Sequence, residues 1–225
     1  MKDNILKMFL DRSLRYKSRE VFRQRINQTK SFRTITWDSL ESISGKVSCS
    51  LLSLGTEVFD NIGIFSDNKP EWIFADLGIM GVRGVTVPFY STSSKQQLKY
   101  IVDETRMKLI FVGNQEQYEK AVWLLENTAT LRYIVVFDSD FKSANENCLS
   151  WETFIDLDTR RFFEAEVRKR TADIETDDLV TIIYTSGTTG ESKGAMLNHS
   201  SFMYTFRIHD ERLDVRESDV SVCFL

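Results

Sequence analysis

The sequence predicts an α/β fold in which βαβ units build a largely parallel sheet with helices on its faces. Between residues 37 and about 137, short apolar segments alternate with longer amphipathic ones. A short apolar run bounded by turn residues indicates a buried strand, and apolar positions three and four residues apart indicate a helix. Strands that alternate with helices favour parallel pairing, because each connection is long enough to cross back over the sheet.

The first segment, residues 1–36, is predicted to hold one helix and one hairpin. Ile5, Met8 and Phe9 fall on one helical face, which favours a helix that packs on the domain over contact with a membrane. Charged residues interrupt this apolar stretch, so it does not have the form of a signal peptide. Alternation of apolar and polar residues on either side of a polar turn predicts hairpin strands at Val21–Ile26 and Ser31–Thr36.

The second segment, residues 37–176, supplies most of the predicted sheet. Its first helix has an apolar stripe at spacings of three and four and ends before Gly55, while Pro70 suits the first turn of the next helix. The predicted strands are Asn61–Phe65, Val85–Phe89, Lys108–Val112 and Tyr133–Phe137. The predicted helices are Trp37–Leu54, Glu71–Val82, a helix capped by Tyr90–Ser94 that runs to about Glu104, Gln115–Asn127, Trp151–Leu157 and Arg160–Arg170; Asp138–Ser150 is predicted to be a polar surface loop.

Three glycines recur at intervals of three residues around the second of these helices: Gly78, Gly81 and Gly84. Close packing of the helix against the sheet explains them better than a phosphate-binding role. Trp72 and Trp151 are likewise expected in the core rather than at a ligand.

The third segment, residues 177–225, begins with the apolar, β-branched run Leu179–Tyr184, which predicts a buried strand. A polar loop follows, and ordered structure resumes at Ala195–Leu197. Ser200–Leu213 is predicted to be a helix, and Val220–Leu225 a further strand. His199 could cap that helix, and a structural role for it is favoured over a catalytic one.

The loop Thr185–Gly194 combines three glycines, several hydroxyls and one lysine within ten residues. Glycines let backbone N–H groups approach an anion, hydroxyls donate to phosphate oxygens, and Lys193 adds a mobile positive charge. A simple turn is the alternative, but the loop is long for a hairpin and poor in asparagine and aspartate. The lysine precedes its glycine, so the loop is not a Walker A sequence, and the glycine spacing does not fit a Rossmann fingerprint.

Composition narrows the function classes. The chain has 225 residues, 42% of them hydrophobic and 28% charged, which is typical of a soluble globular protein. A net charge of −4 disfavours a nucleic-acid partner held by bulk charge. Three widely spaced cysteines and two histidines form neither a metal pattern nor a disulfide framework. No window reaches the ~20 apolar residues needed to span a bilayer.

The segment Tyr184–Gly194, reading YTSGTTGESKG, resembles the phosphate loop of the adenylate-forming superfamily, which includes the acyl-CoA synthetases. Asp67–Trp72 and Gly84–Ser93 are similar to two segments of the AMP-forming long-chain acyl-CoA synthetases. The likeness covers about residues 30–225. One position departs from the pattern, because Ser192 stands where the family usually has proline.

This resemblance implies a fold, a reaction and a set of binding residues. A fatty carboxylate attacks the α-phosphate of Mg-ATP to give acyl-AMP, and the thiol of coenzyme A then displaces AMP, so ATP, Mg²⁺, coenzyme A and a fatty acid are the expected ligands. The residues expected to bind ATP are Thr185, Ser186, Gly187, Thr188, Thr189, Gly190, Lys193 and Gly194, with Thr188 also expected near the Mg²⁺ ion.

The resemblance also implies that the chain is the front portion of a longer N-terminal AMP-binding domain. The catalytic lysine, the ribose-binding aspartate and the C-terminal domain of the family have no counterpart, so no catalytic residue is expected within residues 1–225 and the chain by itself is expected to be inactive. The leading hypothesis is a truncated acid–thiol ligase; a non-catalytic nucleotide-binding remnant and another adenylate-forming ligase are the alternatives. A cytoplasmic location, with peripheral contact to a membrane left open, is expected.

Overall fold

The computed structural model describes residues 4–26, 30–138, 141–143, 145–157, 162–185 and 192–223. Its helices are α1 (Ile5–Tyr16), α2 (Trp37–Ser53), α3 (Pro70–Gly81), α4 (Lys95–Thr105), α5 (Gln115–Asn127), α6 (Trp151–Ile155), α7 (Glu164–Ala172) and α8 (His199–Arg212). Its strands are β1 (Glu20–Arg25), β2 (Phe32–Thr36), β3 (Asn61–Phe65), β4 (Val85–Phe89), β5 (Leu109–Val112), β6 (Tyr133–Val136), β7 (Cys148–Ser150), β8 (Leu179–Thr185) and β9 (Lys193–Asn198).

Seven of these strands form one sheet in the order β7-β6-β5-β3-β4-β8-β9. All neighbours pair in parallel except β8 and β9, which are antiparallel at one edge. The prediction of a largely parallel α/β sheet is therefore confirmed. The central strands are buried on both faces, as expected for a sheet covered by helices on both sides.

Two apolar cores lie on opposite faces of the sheet. One face is covered by α1, α2, α3, α6 and α7, whose largest buried side chains include Phe74 and Phe154. The other is covered by α4 and α5, which bury Leu98 and Leu124. Trp151 is buried in the first core and Trp72 packs partly against it, in agreement with the structural roles predicted for both.

The interface between α2 and α3 explains two of the regularly spaced glycines. A Cβ on Gly78 would lie 2.3 Å from Val47 Cγ1, and one on Gly81 would lie 2.4 Å from Ser48 Oγ. Ser48 Oγ also donates to the Gly78 carbonyl at 2.9 Å. The sequence analysis predicted that these glycines allow close packing of α3 against the sheet. That partner is wrong, because Gly78 and Gly81 allow close packing of α3 against helix α2.

The N-terminal segment forms a helix and a separate two-stranded ribbon, as predicted. Helix α1 packs through Leu6 and Phe9. In the ribbon, β1 and β2 are antiparallel, with Phe22 paired to Ile35 and Arg25 paired to Phe32. The ribbon makes no ladder with the seven-stranded sheet.

Two predictions for the less regular segments are wrong, and a third is confirmed with shifted bounds. Asp138–Ser150 is not loop throughout, because Cys148–Ser150 adds β7 parallel to β6. The helix predicted at Arg160–Arg170 is present and runs from Glu164 to Ala172. No strand forms over residues 220–223, where Val220 is 92% exposed; residues 224 and 225 lie outside the described part of the chain. Apolar composition alone predicted that strand, and no neighbouring strand pairs with it.

His199 links the two ends of the described chain. The N-cap of α8 is Asn198 rather than His199, and its side chain accepts the N–H of Ser201 at 2.9 Å. The His199 side chain is buried, and its Nδ1 accepts the Ile5 N–H at 3.4 Å. Burial lowers the pKa of His199 to about 4, against an opposing effect from the nearby Asp178 carboxylate.

This buried imidazole should make stability depend on pH in a defined window. The unfolded chain takes up a proton at His199 below about pH 6.5, whereas the folded chain does so only near 4, so the free energy of unfolding should fall as pH drops between these values. Relative to His199→Gln, we expect the wild type to lose about 2–3 kcal/mol between pH 7 and pH 4, as measured by urea unfolding.

The comparison with His199→Gln removes the effect of a second buried group. Burial raises the pKa of Asp76 to about 6, although its carboxylate accepts a hydrogen bond from Thr86 Oγ1 at 2.6 Å. Its contribution has the opposite sign, because stability falls as pH rises from about 4 to 6. Both proteins share that contribution, so parallel pH profiles for wild type and variant would contradict the role of His199.

Candidate functional site

The loops that follow the parallel strands meet along one edge of the sheet. In sheets of this kind, ligands bind beyond the carboxyl ends of the strands, and above all where neighbouring connections leave in opposite directions. The connection from β3 crosses the first face to β4, whereas that from β5 crosses the second face to β6. The crevice between β3 and β5 is therefore the first place to look for a site.

That crevice contains a lysine of the protein. Lys69, in the loop after β3, donates from Nζ to the carbonyl of Gly113, which follows β5. The same Nζ lies 2.5 Å from Oδ1 of Asp138, which follows β6. The sequence analysis did not predict this network, because Lys69 and Asp138 follow strands on either side of β5 and no local pattern connects them.

The phosphate-loop segment lies two strands away, between β8 and β9. These strands form an antiparallel hairpin in which Thr185 pairs with Lys193 and Tyr184 with Gly194. Of the predicted binding residues, Thr185, Lys193 and Gly194 are thus brought together at the base of the loop. The others lie outside the described residues: Ser186, Gly187, Thr188, Thr189 and Gly190.

The pairing determines where the side chains at the loop base point. Tyr184 is buried in the core beneath α4 and α5. Side chains alternate along a strand, and directly paired residues share a face, so Thr185 and Lys193 lie together on the opposite face from Tyr184. Both are exposed, and Lys193 makes no ion pair with any residue that the structure describes. An unpaired cation beside a hydroxyl can attract and orient a phosphate group.

Tyr184 anchors the hairpin from its buried side. Its hydroxyl donates to Glu104 Oε2 of α4 at 2.7 Å, and burial, followed by this contact with the carboxylate, raises the pKa of the Tyr184 phenol. The phenol therefore stays protonated and remains a donor at neutral pH. The sequence analysis did not identify Glu104, and nothing in its local sequence distinguishes it from other exposed helix residues.

Gly194 has a packing role that is independent of any ligand. A Cβ at this position would lie 2.7 Å from Ile182 Cγ2 and 3.1 Å from Tyr184 Cζ. The tyrosine ring therefore occupies the space that a side chain at residue 194 would need. Its predicted contact with ATP stays a prediction.

Two further observations bear on the kind of site. Within the described ranges, no three histidine, cysteine, aspartate or glutamate side chains converge as they would around a metal ion. Nor does any helix in those ranges combine the length and apolar character needed to cross a bilayer.

Comparison with known sequences gives a consistent match. The profile of the AMP-binding enzyme family matches residues 10–225. Among curated proteins, the chain is 28% identical over 167 residues to the long-chain-fatty-acid–CoA ligase ACSBG2 of Xenopus laevis, covering 74% of this chain and 22% of that protein. It is 30% identical over 161 residues to the Gallus gallus ACSBG2, covering 71% and 21%. The chain thus spans about a fifth of the length of these relatives.

Solved structures share the fold. The anthranilate CoA ligase AuaEII, solved in complex with anthranoyl-AMP, matches with a TM-score of 0.77 at 22% identity, over 97% of this chain and 39% of that one. The A-PCP didomain of a carboxylic acid reductase from Segniliparus rugosus, solved with AMP, matches with a TM-score of 0.70 at 18% identity, over 88% and 32%. The fold is therefore that of the N-terminal domain of adenylate-forming enzymes.

The packing of Gly194 can be tested by adding one methyl group. We expect Gly194→Ala to destabilise the chain by about 1–3 kcal/mol, because the new Cβ overpacks against Ile182 and the Tyr184 ring. Gly45→Ala in α2 is the matched control: a Cβ there meets nothing within 4 Å, so the variant should be neutral or slightly more stable. Equal melting temperatures for Gly194→Ala and the wild type would contradict this account.

Proposed function

Because the chain belongs to the AMP-binding enzyme family, we propose that it supplies the phosphate-binding hairpin of an AMP-forming ligase that activates a fatty acid as acyl-AMP and transfers it to coenzyme A. The single observation that supports this most strongly is the base of the β8–β9 loop. There Thr185 lies beside Lys193, which makes no ion pair with any residue that the structure describes, at the carboxyl edge of a parallel sheet.

The chemistry of acid activation explains why such a loop is needed. The fatty carboxylate and the triphosphate are both anions, so the protein must screen charge and hold the carboxylate in line with the α-phosphate. In this proposal Lys193 screens by charge, and the hydroxyls of Thr185, Ser186, Thr188 and Thr189 donate to phosphate oxygens. The backbone N–H groups of Gly187, Gly190 and Gly194 would add further donors.

The same proposal assigns the accompanying ion and thiol. Mg²⁺ prefers oxygen ligands and keeps several waters and phosphate oxygens, so it would arrive with ATP, and the Thr188 hydroxyl would add one oxygen ligand. Coenzyme A enters in the second step, in which its thiol displaces AMP. In this proposal the 225 residues provide the cation and the hydrogen-bond donors that neutralise phosphate charge. Residues of the longer enzyme beyond this chain act on the thiol.

A long-chain fatty acid is the substrate favoured among carboxylic acids. The support comes from curated relatives named as long-chain-fatty-acid–CoA ligases, including ligase 1 of Cavia porcellus, 28% identical over 86% of this chain. Another adenylate-forming ligase is the alternative, since the solved structures with this fold include an anthranilate and a coronafacic acid ligase. Because long acyl chains partition into bilayers, we extend the proposal to peripheral contact with a membrane from the cytoplasmic side.

The role of Lys193 can be measured in the complete enzyme. We expect Lys193→Ala to slow pyrophosphate exchange by roughly 100-fold, because one donor that strengthens in the transition state is worth about 3 kcal/mol. Folding should be unchanged, since the side chain is exposed. Lys99→Ala is the control, a half-buried lysine on α4 that pairs with Asp103. Exchange at the wild-type rate in Lys193→Ala would refute the role.

The 225-residue chain alone provides a second test. We expect calorimetric titration to show at best weak ATP binding, and no acyl-AMP or acyl-CoA to form, because the chain covers less than a third of its relatives' length. ATP binding without turnover fits either a piece of a ligase or a non-catalytic nucleotide-binding remnant. Turnover by the chain alone would contradict the assignment of the remaining steps to residues beyond it.

A further inference from the structure

Positive charge is concentrated at the N-terminal end of the chain. Residues 4–36 carry nine lysines and arginines against two acidic residues, a net charge of +7. The whole chain has a net charge of −4, so the rest of it carries −11. In the fold, Glu217 pairs with Arg15 and Arg19, and Glu71 pairs with Arg33, so the segment with these two partners carries +5. A protein of this overall charge would be repelled by an anionic surface unless it approached through this segment.

The ribbon of β1 and β2 presents part of this charge on its outer face. Its inner face packs on the core through Phe22 and Ile35. Alternation along the strands places Arg23, Arg25 and Phe32 together on the other face. All three are exposed, and the Arg23 guanidinium lies 5.8 Å from the centre of the Phe32 ring. Arg23 also pairs with the exposed Glu20 at 2.9 Å, so a lipid phosphate would share this guanidinium with that carboxylate.

The far end of the ribbon is also apolar. Phe32 is 53% exposed and Ile26 is 46% exposed, at the ends of the two strands that residues 27–31 connect. Exposed aromatic and aliphatic side chains next to arginines suit the boundary between lipid headgroups and acyl chains. The arginines can bind headgroup phosphates, while the apolar groups enter the layer beneath them.

Helix α1 continues this surface at the base of the ribbon. The turn after α1 is tied to the start of α2 by hydrogen bonds from Trp37 N–H to the Arg19 carbonyl and from Asp38 N–H to the Lys17 carbonyl. Leu14, which is 68% exposed, and the exposed Arg12 precede this turn on α1.

We propose that the outer face of the β1–β2 ribbon, with the exposed end of α1, binds the surface of an anionic lipid bilayer. The charge separation supplies the attraction, and the exposed Phe32 and Ile26 favour a lipid partner over a nucleic acid, which offers no apolar layer at its backbone. This membrane contact rests on the proposed function, because it would place a fatty-acid ligase at the lipid bilayer that holds its substrate.

Vesicle co-sedimentation tests this surface directly. We expect the chain to bind anionic vesicles, made of phosphatidylcholine with about 30% phosphatidylserine, more tightly than vesicles of pure phosphatidylcholine. Binding to the anionic vesicles should weaken as the salt concentration rises. Arg23→Gln should weaken binding roughly fivefold, the effect of about one charge near the surface. Arg23→Gln with Phe32→Ser should weaken it further, by more than tenfold in total.

A matched pair elsewhere on the surface serves as the control. On α8, Arg207 lies 5.4 Å from the centre of the exposed Tyr204 ring, which reproduces the charge and the aromatic contact of the ribbon pair. Arg207→Gln with Tyr204→Ser should leave vesicle binding unchanged. Thermal melts of both double variants should resemble the wild type, because all four side chains are exposed.

Three outcomes would overturn the proposal. The first is no preference for anionic vesicles at low salt, and the second is an equal loss in the ribbon and α8 variants. The third is vesicle binding that Phe32→Ser does not weaken, together with equally tight binding of a single-stranded oligonucleotide. That result would indicate a surface that binds polyanions in general. Vesicle binding does not use Lys193. If the chain does not prefer anionic vesicles but Lys193→Ala slows pyrophosphate exchange, the membrane proposal fails and the ligase proposal stands.

Discussion

Burial of the Tyr184 ring is the constraint on which the candidate site depends. The ring lies in the core under α4, its hydroxyl donates to Glu104, and the strand opposite must carry glycine to admit it. One side chain thus fixes the strand that enters the loop, the strand that leaves it, and the helix behind them. Since side chains alternate along a strand, burying Tyr184 is also what places Thr185 and Lys193 on the other face.

The same principle of close approach shapes the opposite side of the sheet. Helices α2 and α3 meet where Gly78 and Gly81 leave no Cβ, and Ser48 donates across the contact to the Gly78 carbonyl. This close contact helps α3 to cover β3 and β4 from one face while α4 covers them from the other. The carboxyl ends of the strands are left as the edge where polar loops collect, so the position of the site follows from the packing of both layers.

Much of this architecture could be predicted from sequence because its signals are local. Apolar runs such as Asn61–Phe65 and the spacing of apolar residues in Trp37–Leu54 report burial and periodicity directly. Contacts between distant residues carry no such signal: Tyr184 and Glu104 are 80 residues apart, and Lys69 and Asp138 are 69 apart. The strand predicted at Val220–Leu225 failed over residues 220–223 for the related reason that composition does not reveal whether a partner strand is present.

The pairing of Lys69 and Lys193, two lysines at the carboxyl edge, supports the hairpin over the crevice between β3 and β5 as the proposed anion site. Lys69 is bound by the Gly113 carbonyl and the Asp138 carboxylate, so its charge is already compensated and a phosphate would have to approach a neighbouring anion. Lys193 has no such partner among the described residues and stands beside a threonine hydroxyl. Under the proposed function, an incoming triphosphate would gain more from Lys193, because it would displace no ion pair with any residue that the structure describes. This difference in pairing, rather than glycine content alone, is the structural argument for the proposed phosphate site at the hairpin.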